Sequence, residues 1–524
     1  MNERIAEALA LLPERLSAHV LLSAAALALA VAIGLPLALL VVRRPRLRGS
    51  FLGAAGVIQT IPGLALVALF YPALLALSAL TSRWIGVSVP ALGFLPALLA
   101  LTLYALLPIL RNAVAGLAGL PPAVLEAADG VGMTPAQRLW RVEAPLAAPV
   151  VMAGVRTAAV LTIGTAVLAT TVGQPSLGDY IFSGLQTEDW VTVLFGCLAA
   201  AALALVADRL LGVVEQGAAR RDRRRLLLGL GALLAGVAVS LAPLFAGLGG
   251  APVYRIGAKN FSEQFILAEL IAQRLDREGL QSDTLAGLGS AVVFRALAAG
   301  DIDVYVDYSG TLWTNVLGRR DIPARAPLLT ELARELERRH GVVVLGPLGF
   351  ENAYALTMRA DRAEALGVRT LDDLARRAPE LRLGADLEFL NRPEWATLRD
   401  AYGLRFRGAN AYTPTFMYRA LESGDVDVIS AFSSDGRLAG DELRALADPK
   451  GAAPSYDAVL LISPQRAGDR RLRRVLEPLV GAIAVDRMRA ANASVDIGPD
   501  KRSSAQAAAV LDLELDETRR RPPP

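Results

Sequence analysis

The sequence predicts an α-helical membrane domain of about six transmembrane helices followed by an α/β domain of two lobes around a cleft. Three observations carry this expectation. A mean hydropathy of +0.41 with 53% hydrophobic residues is too apolar for an ordinary soluble chain. The apolar excess lies in the first half, as runs long enough to cross a bilayer. From Gly257 onward the text changes to charged, mixed-pattern sequence with turn signals.

A helix needs about 20 apolar residues to cross roughly 30 Å of hydrocarbon. The runs that meet this length are about 19–42, 52–80 with Pro62 and Pro72 inside it, 91–110, 146–172, 190–214 and 226–248. No cleavage-like site follows the first run, so it is read as a retained span. Arginine clusters follow the first span (Arg43, Arg44, Arg46, Arg48), the third (Arg111, Arg138, Arg141) and the fifth (Arg220, Arg221, Arg223, Arg224, Arg225). With alternating spans all of them fall on one side, and loops rich in arginine stay cytoplasmic. The N-terminus and everything after residue 250 are then outside. Arg156, early in the fourth run, is expected near the cytoplasmic end or inside the bundle.

Composition narrows the chemistry. A net charge of +3 over 524 residues, with arginines at the ends of apolar runs, speaks against nucleic-acid binding. The lone Cys197 makes no intrachain disulfide or thiolate metal site, and His19 and His340 are too few for a histidine-based catalytic or zinc site. No metal site, no catalytic residue and no cofactor is expected in this chain. A phosphate loop of the form Gly-x-x-x-x-Gly-Lys-Ser/Thr does not occur in it.

Between the third and fourth spans lies a long inside loop containing Glu126-Ala127-Ala128, then Gly132, then Val142-Glu143-Ala144-Pro145. The spacing resembles the EAA loop of ABC importer permeases, with Val142 and Ala144 as conservative departures. The resemblance implies that residues 126–145 couple to an ATPase, with Glu126, Ala127, Ala128, Gly132 and Pro145 as coupling positions. ATP with magnesium would sit on that separate subunit, present in two copies. Few spans for a complete pathway suggest a homodimer of this chain.

After the last span, strand-like runs at 253–257, 303–308, 353–358, 381–385, 426–431 and 458–462 alternate with helical stretches, the first at 263–278. Short segments there carry a second resemblance: Gly257-Ala258-Lys259-Asn260-Phe261-Ser262-Glu263-Gln264, Asp303 to Thr311, Asn352-Ala353-Tyr354-Ala355-Leu356, Asp425 to Phe432 with Ser434-Asp435-Gly436, and Pro454-Ser455-Tyr456-Asp457-Ala458. They resemble, in order, the solute-binding proteins of the osmoprotectant uptake family, which carry glycine betaine, choline, carnitine or related quaternary amines. This implies a periplasmic-binding-protein-like domain over 252–515, after a permease domain over 1–250 and before a disordered tail at 516–524.

A quaternary ammonium has no N–H to donate and spreads its charge over methyl groups, so aromatic faces suit it, at about 0.5–2 kcal/mol each. By resemblance the cage rings are Tyr308, Tyr354, Phe432 and Tyr456, with Phe432 in place of the usual tyrosine. Gln264 and Thr311 match positions that touch the ligand's polar end or shape the pocket, and Phe261 and Trp313 could add faces. Asp307, Glu351, Asp386 and Arg392 are expected as lobe salt bridges or loop anchors. The implied protein is a multi-pass inner (plasma) membrane importer subunit with its C-terminal domain extracytoplasmic. The alternatives are a cargo such as ergothioneine, or a ligand-sensing membrane receptor with a two-lobed capture domain.

Overall fold

The computed structural model describes residues 2–86, 89–186, 189–220, 222–246, 253–319, 321, 323–452, 455–498 and 500–520. The chain divides into two compact units, Met1–Phe182 with Trp190–Gly250, and Ser183–Asp189 with Ala251–Pro524. Residues 247–252, where the two expected domains join, lie outside the described residues, as does Pro454.

The first unit is helical: α1 (Asn2–Arg43), α2 (Arg48–Thr60), α3 (Gly63–Ile85), α4 (Phe94–Ala118), α5 (Pro122–Gly130), α6 (Pro135–Arg138), α7 (Ala144–Ala166), α8 (Gly178–Gln186), α9 (Trp190–Arg220) and α10 (Arg223–Ala246). Among the described residues, 6 helical stretches are long and apolar enough to span a membrane: Ala8–Arg43, Gly63–Ile85, Phe94–Ala118, Pro135–Val172, Trp190–Arg220 and Arg223–Ala242. The expected second run differs in one respect. The chain breaks at Ile61, whose ψ of 127° is extended, because Pro62 disfavours helical geometry in the residue before it. Residues 48–60 therefore form a separate helix, and the span begins at Gly63.

Helices α1, α4 and α7 pack through small residues. Gly154 of α7 lies so close to α4 that a Cβ there would stand 2.5 Å from Asn112 Cβ and 2.9 Å from the Pro108 carbonyl oxygen. Arg156 donates to both oxygens of Asp208 on α9, at 2.5 and 2.7 Å, and to Glu215 at 3.3 Å. The guanidinium is thus held against two carboxylates between α7 and α9. His19, buried on α1, bonds through Nε2 to the Ile163 carbonyl at 3.0 Å and accepts at Nδ1 from the Leu177 N–H at 3.3 Å, the pattern of a neutral imidazole.

The second unit holds two five-stranded sheets. The strands are β1 (Tyr254–Lys259), β2 (Ser282–Leu288), β3 (Val304–Tyr308), β4 (Val343–Glu351), β5 (Tyr354–Arg359), β6 (Arg382–Asp386), β7 (Gly408–Tyr412), β8 (Val428–Phe432), β9 (Leu443–Ala445) and β10 (Asp457–Ile462). The first lobe has the order β2-β1-β3-β10-β4, and the second β7-β6-β8-β5-β9. Within the first, β10 runs antiparallel to β3 and β4; within the second, β5 runs antiparallel to β8 and β9. These antiparallel strands flank the two places where the chain crosses between lobes, after Glu351 and before Asp457.

Helix α11 (Ser262–Arg277) follows β1 and buries Phe265, Ile266, Leu270, Ile271 and Leu275 in the first lobe's core. The expected disordered tail is corrected in part. A helix runs Ser504–Arg520 and packs on α11, with Leu511 and Leu515 buried and Asp516 reaching Arg274 at 3.5 Å and Arg277 at 3.4 Å. Apolar residues four apart and carboxylates set toward α11's arginines give this segment a reason to order. Residues 521–524 lie outside the described residues.

Candidate functional site

Strand ends on both lobes deliver aromatic side chains to one cluster. From the first lobe come Phe261, just after β1, Tyr308, the last residue of β3, and Tyr456, just before β10. The second lobe supplies Tyr354, the first residue of β5, and Phe432, the last of β8, which face each other in the sheet register. Phe261 stacks on Tyr308 with ring centroids 6.2 Å apart and on Phe432 at 5.8 Å. Tyr354 lies 4.9 Å from Phe432, 4.7 Å from Phe389 and, edge to face, 5.8 Å from Tyr456. All four of the expected cage rings, and Phe261, therefore belong to one group.

Hydrogen bonds fix the rings. The Tyr308 hydroxyl donates to Glu263 Oε1 at 2.6 Å and accepts from Gln264 Nε2 at 2.9 Å. Burial first, then the Glu263 carboxylate, pushes the Tyr308 phenol well above its ordinary value, so it stays a donor. Tyr456 donates to Glu394 Oε1 at 2.6 Å, and burial and Glu394 act on it in the same way. Thr311 accepts from Arg392 Nη1 at 3.1 Å, and the same guanidinium stands 5.4 Å from the Tyr354 ring centroid. These contacts of Arg392 and Glu394 with Thr311 and Tyr456 join the second lobe to the first.

Trp313 is placed elsewhere. It is fully buried, its indole N–H donates to the Asp321 carbonyl at 2.8 Å, and Arg319 covers its face at 4.6 Å. Asp307 pairs with the buried Lys259, and Glu351 lies 3.5 Å from Arg325. Phe389, Glu394 and the carboxylate Glu263 were not anticipated at the cluster. Phe389 sits on the short helical turn Leu387–Asn391 after β6 and Glu394 in the first turn of the helix Pro393–Tyr402, with no motif to mark either, whereas Glu263 stood inside a quoted motif.

Beside Phe261 and Phe432 lies a cavity of about 50 Å³, lined also by Glu263, Asn352, Asp435, Asn492 and Asp496. Burial pushes the Glu263 carboxyl up, opposed by hydrogen bonds from Tyr308, Asn352 and Asn492. Burial, then Asp435, pushes Asp496 up to about 6, against Ser262, Arg437 and Lys501. A carboxyl held above its unfolded value of 3.8 stabilises the fold at low pH, and that contribution is lost as pH rises through about 6. Asp496→Asn should therefore raise Tm relative to wild type at pH 7.5 and change it little at pH 4. An equal difference at both pH values, read by scanning fluorimetry, would refute this. Among the described residues, no group of three or more His, Cys, Asp or Glu side chains is arranged to hold a metal ion.

In the helical unit, α5 carries Glu126, Ala127 and Ala128. Gly132, at φ +77°, turns the chain toward α6, whose start is fixed by reciprocal hydrogen bonds between Thr134 and Gln137. Arg138 locks the turn, donating to Asp129 at 2.7 and 2.9 Å and to Glu143 at 2.7 Å. Glu126, Ala127, Gly132 and Pro145 are exposed and Ala128 is buried. Val131 and Trp140 are 73% and 74% exposed on the same loop, an apolar surface braced from within.

Residues 30–220 match the family described as the binding-protein-dependent transport system inner membrane component, and residues 253–510 the substrate-binding domain of the ABC-type glycine betaine transport system. The ergothioneine transport permease/ergothioneine binding protein EgtU of Helicobacter pylori is 30% identical over 79% of this chain and 74% of its own length. The choline transport system permease protein OpuBB of Bacillus subtilis is 38% identical over 38% of this chain and 84% of its own. A glycine-betaine-binding protein of Pseudomonas aeruginosa is 30% identical over 51% of this chain and 89% of its own. The chain belongs to the family of ABC importers of the betaine, choline and carnitine type, as a membrane permease fused to its substrate-binding domain. Both parts are non-catalytic, and such a permease works with an ATPase subunit and a small solute.

Proposed function

We propose that this chain captures a quaternary-ammonium osmolyte such as glycine betaine, choline or carnitine and passes it through its own helical domain. The observation that carries the reading is the two-lobed ring cluster of Tyr308, Phe261, Phe432, Tyr354 and Tyr456. Three or four such faces around one cation supply a few kcal/mol. Gln264 acts through the Tyr308 hydroxyl and Thr311 through Arg392. The binding domain works outside the inner membrane, a placement supported by the arginine-rich loops. Residues 1–250 and 252–515 serve as its two working parts. ATP with magnesium is bound and hydrolysed on a separate ATPase, two copies of which dock on the 126–145 loops of a homodimer, and this chain itself holds no cofactor. Tethering keeps the capture domain concentrated at the pore.

A second cargo, ergothioneine, is favoured by the likeness to EgtU over most of the chain. A thermal-shift series on the purified full-length chain with glycine betaine, choline, carnitine, proline betaine and ergothioneine discriminates these. A ligand of the native state raises Tm with concentration. A quaternary amine should do so, and no shift with any of the compounds would remove the cargo reading.

A further inference from the structure

Arg156 is the one charged side chain of α7. Its guanidinium lies across the side of α9 that carries Asp208, Gly212 and Glu215, whose spacing of four and three residues sets them on one helix face. Both Asp208 oxygens accept from it, at 2.5 and 2.7 Å, and Glu215 accepts at 3.3 Å. A Cβ on Gly212 would stand 3.5 Å from Arg156 Cζ, so the flat group rests on bare backbone between its two acids. That face of α9 is a cradle for one side chain of α7.

The opposite side of α7 is held in another way. Gly154, two residues earlier and about 200° round the helix, packs closely on Asn112 and the Pro108 carbonyl of α4. Packing of that kind has no preferred direction, whereas a bidentate ion pair fixes both position and angle. Helix α7 is also the continuation of the 126–145 loop. Helical structure runs without a break from Pro135 through the turn Leu139–Glu143 to Ala166, and Arg138 ties its first turn to Asp129 and Glu143. Arg156 stands about 27 Å of helix beyond Arg138, at 1.5 Å per residue. A push on the loop travels along this rod to the guanidinium, and the two carboxylates pass it to α9.

We propose that Arg156 is a positioning residue for transport: its clamp on Asp208 and Glu215 makes α9 follow α7, so that a movement of the 126–145 loop shifts two spans as one. This role rests on that loop being the ATPase-coupling segment.

Uptake of radiolabelled choline, glycine betaine and ergothioneine, measured beside ATP hydrolysis in proteoliposomes holding the full-length chain and its ATPase subunit, tests the clamp. The readout is solute carried per ATP hydrolysed. Arg156→Gln should lower it by about tenfold or more, within the usual range of coupling between sites. Solute binding, and hydrolysis without solute, should stay within about twofold of wild type. The side chains of Arg156, Asp208 and Glu215 are 38, 29 and 27% exposed, so the carboxylates left behind are not sealed in a core and the fold should survive. Gly212→Leu keeps all three charges but displaces the guanidinium, and should uncouple as well. Gly212→Ala, whose Cβ makes an ordinary contact, should not. Arg156→Glu combined with Asp208→Arg again sets one cation between two carboxylates and should recover about half or more of the wild-type ratio. A clamp that only stabilised the fold would lower uptake and hydrolysis together in Arg156→Gln and leave solute per ATP unchanged. That result, or a wild-type ratio in Gly212→Leu, overturns the proposal. Normal uptake with normal stimulated hydrolysis in Gly132→Asp instead removes the coupling reading beneath it, and the proposal falls with that reading.

Discussion

Gly132→Asp is expected to abolish solute uptake into proteoliposomes while leaving solute binding by the same protein at wild-type affinity. The glycine has φ +77°, a left-handed conformation, and no atom lies within 4 Å of the place where a Cβ would stand. Aspartate is among the few L-residues that visit this region at modest cost, of order 1–2 kcal/mol. Arg138, bonded to both Asp129 and Glu143, holds the turn on either side. The loop should therefore keep its shape. What changes is its outer surface, where a charge and four heavy side-chain atoms are added to a loop that also exposes Val131 and Trp140. If that surface seats in an ATPase cleft, uptake stops and stimulation of ATP hydrolysis by solute stops with it. Normal transport with normal stimulation would show that residues 126–145 do not couple.

Tyr354→Ala should weaken binding of the cognate quaternary amine by about 1–3 kcal/mol, or roughly 5- to 150-fold. This ring is the hub of the cluster, touching Phe432, Phe389 and Tyr456, with Arg392 over it at 5.4 Å. Its removal takes away one desolvated face and loosens the three rings it spaces. Tyr354→Phe keeps the face and should retain most of the affinity. Calorimetric affinity unchanged in the alanine variant would take Tyr354 out of the cage.

Much of this architecture was legible because hydropathy and alternation report burial directly. The strands through Val304–Tyr308 and Asp457–Ile462 are continuous buried runs, and the sequence marks them as such. By contrast Gly408–Tyr412 is an edge strand, four of its five residues exposed, with no apolar pattern to announce it. Pro62 was visible in the second run, but hydropathy alone did not separate the helix before it from the span after it. At the site, the rings from strand ends could be named in advance because motif and topology coincide there. Phe389 could not, since it reaches Tyr354 from a short turn of the same lobe whose position depends on tertiary packing.

The backbone N–H of Asn352 donates to the carbonyl of Tyr456 at 2.9 Å, so the two chain crossings between lobes are stitched together. Any swing of one lobe against the other must bend there, and Tyr354 and Tyr456 stand within a few residues of the pivot. If the proposed cation seats on those two rings, its pull acts close to that pivot, and a small approach of the rings would become a larger one at the lobe rims.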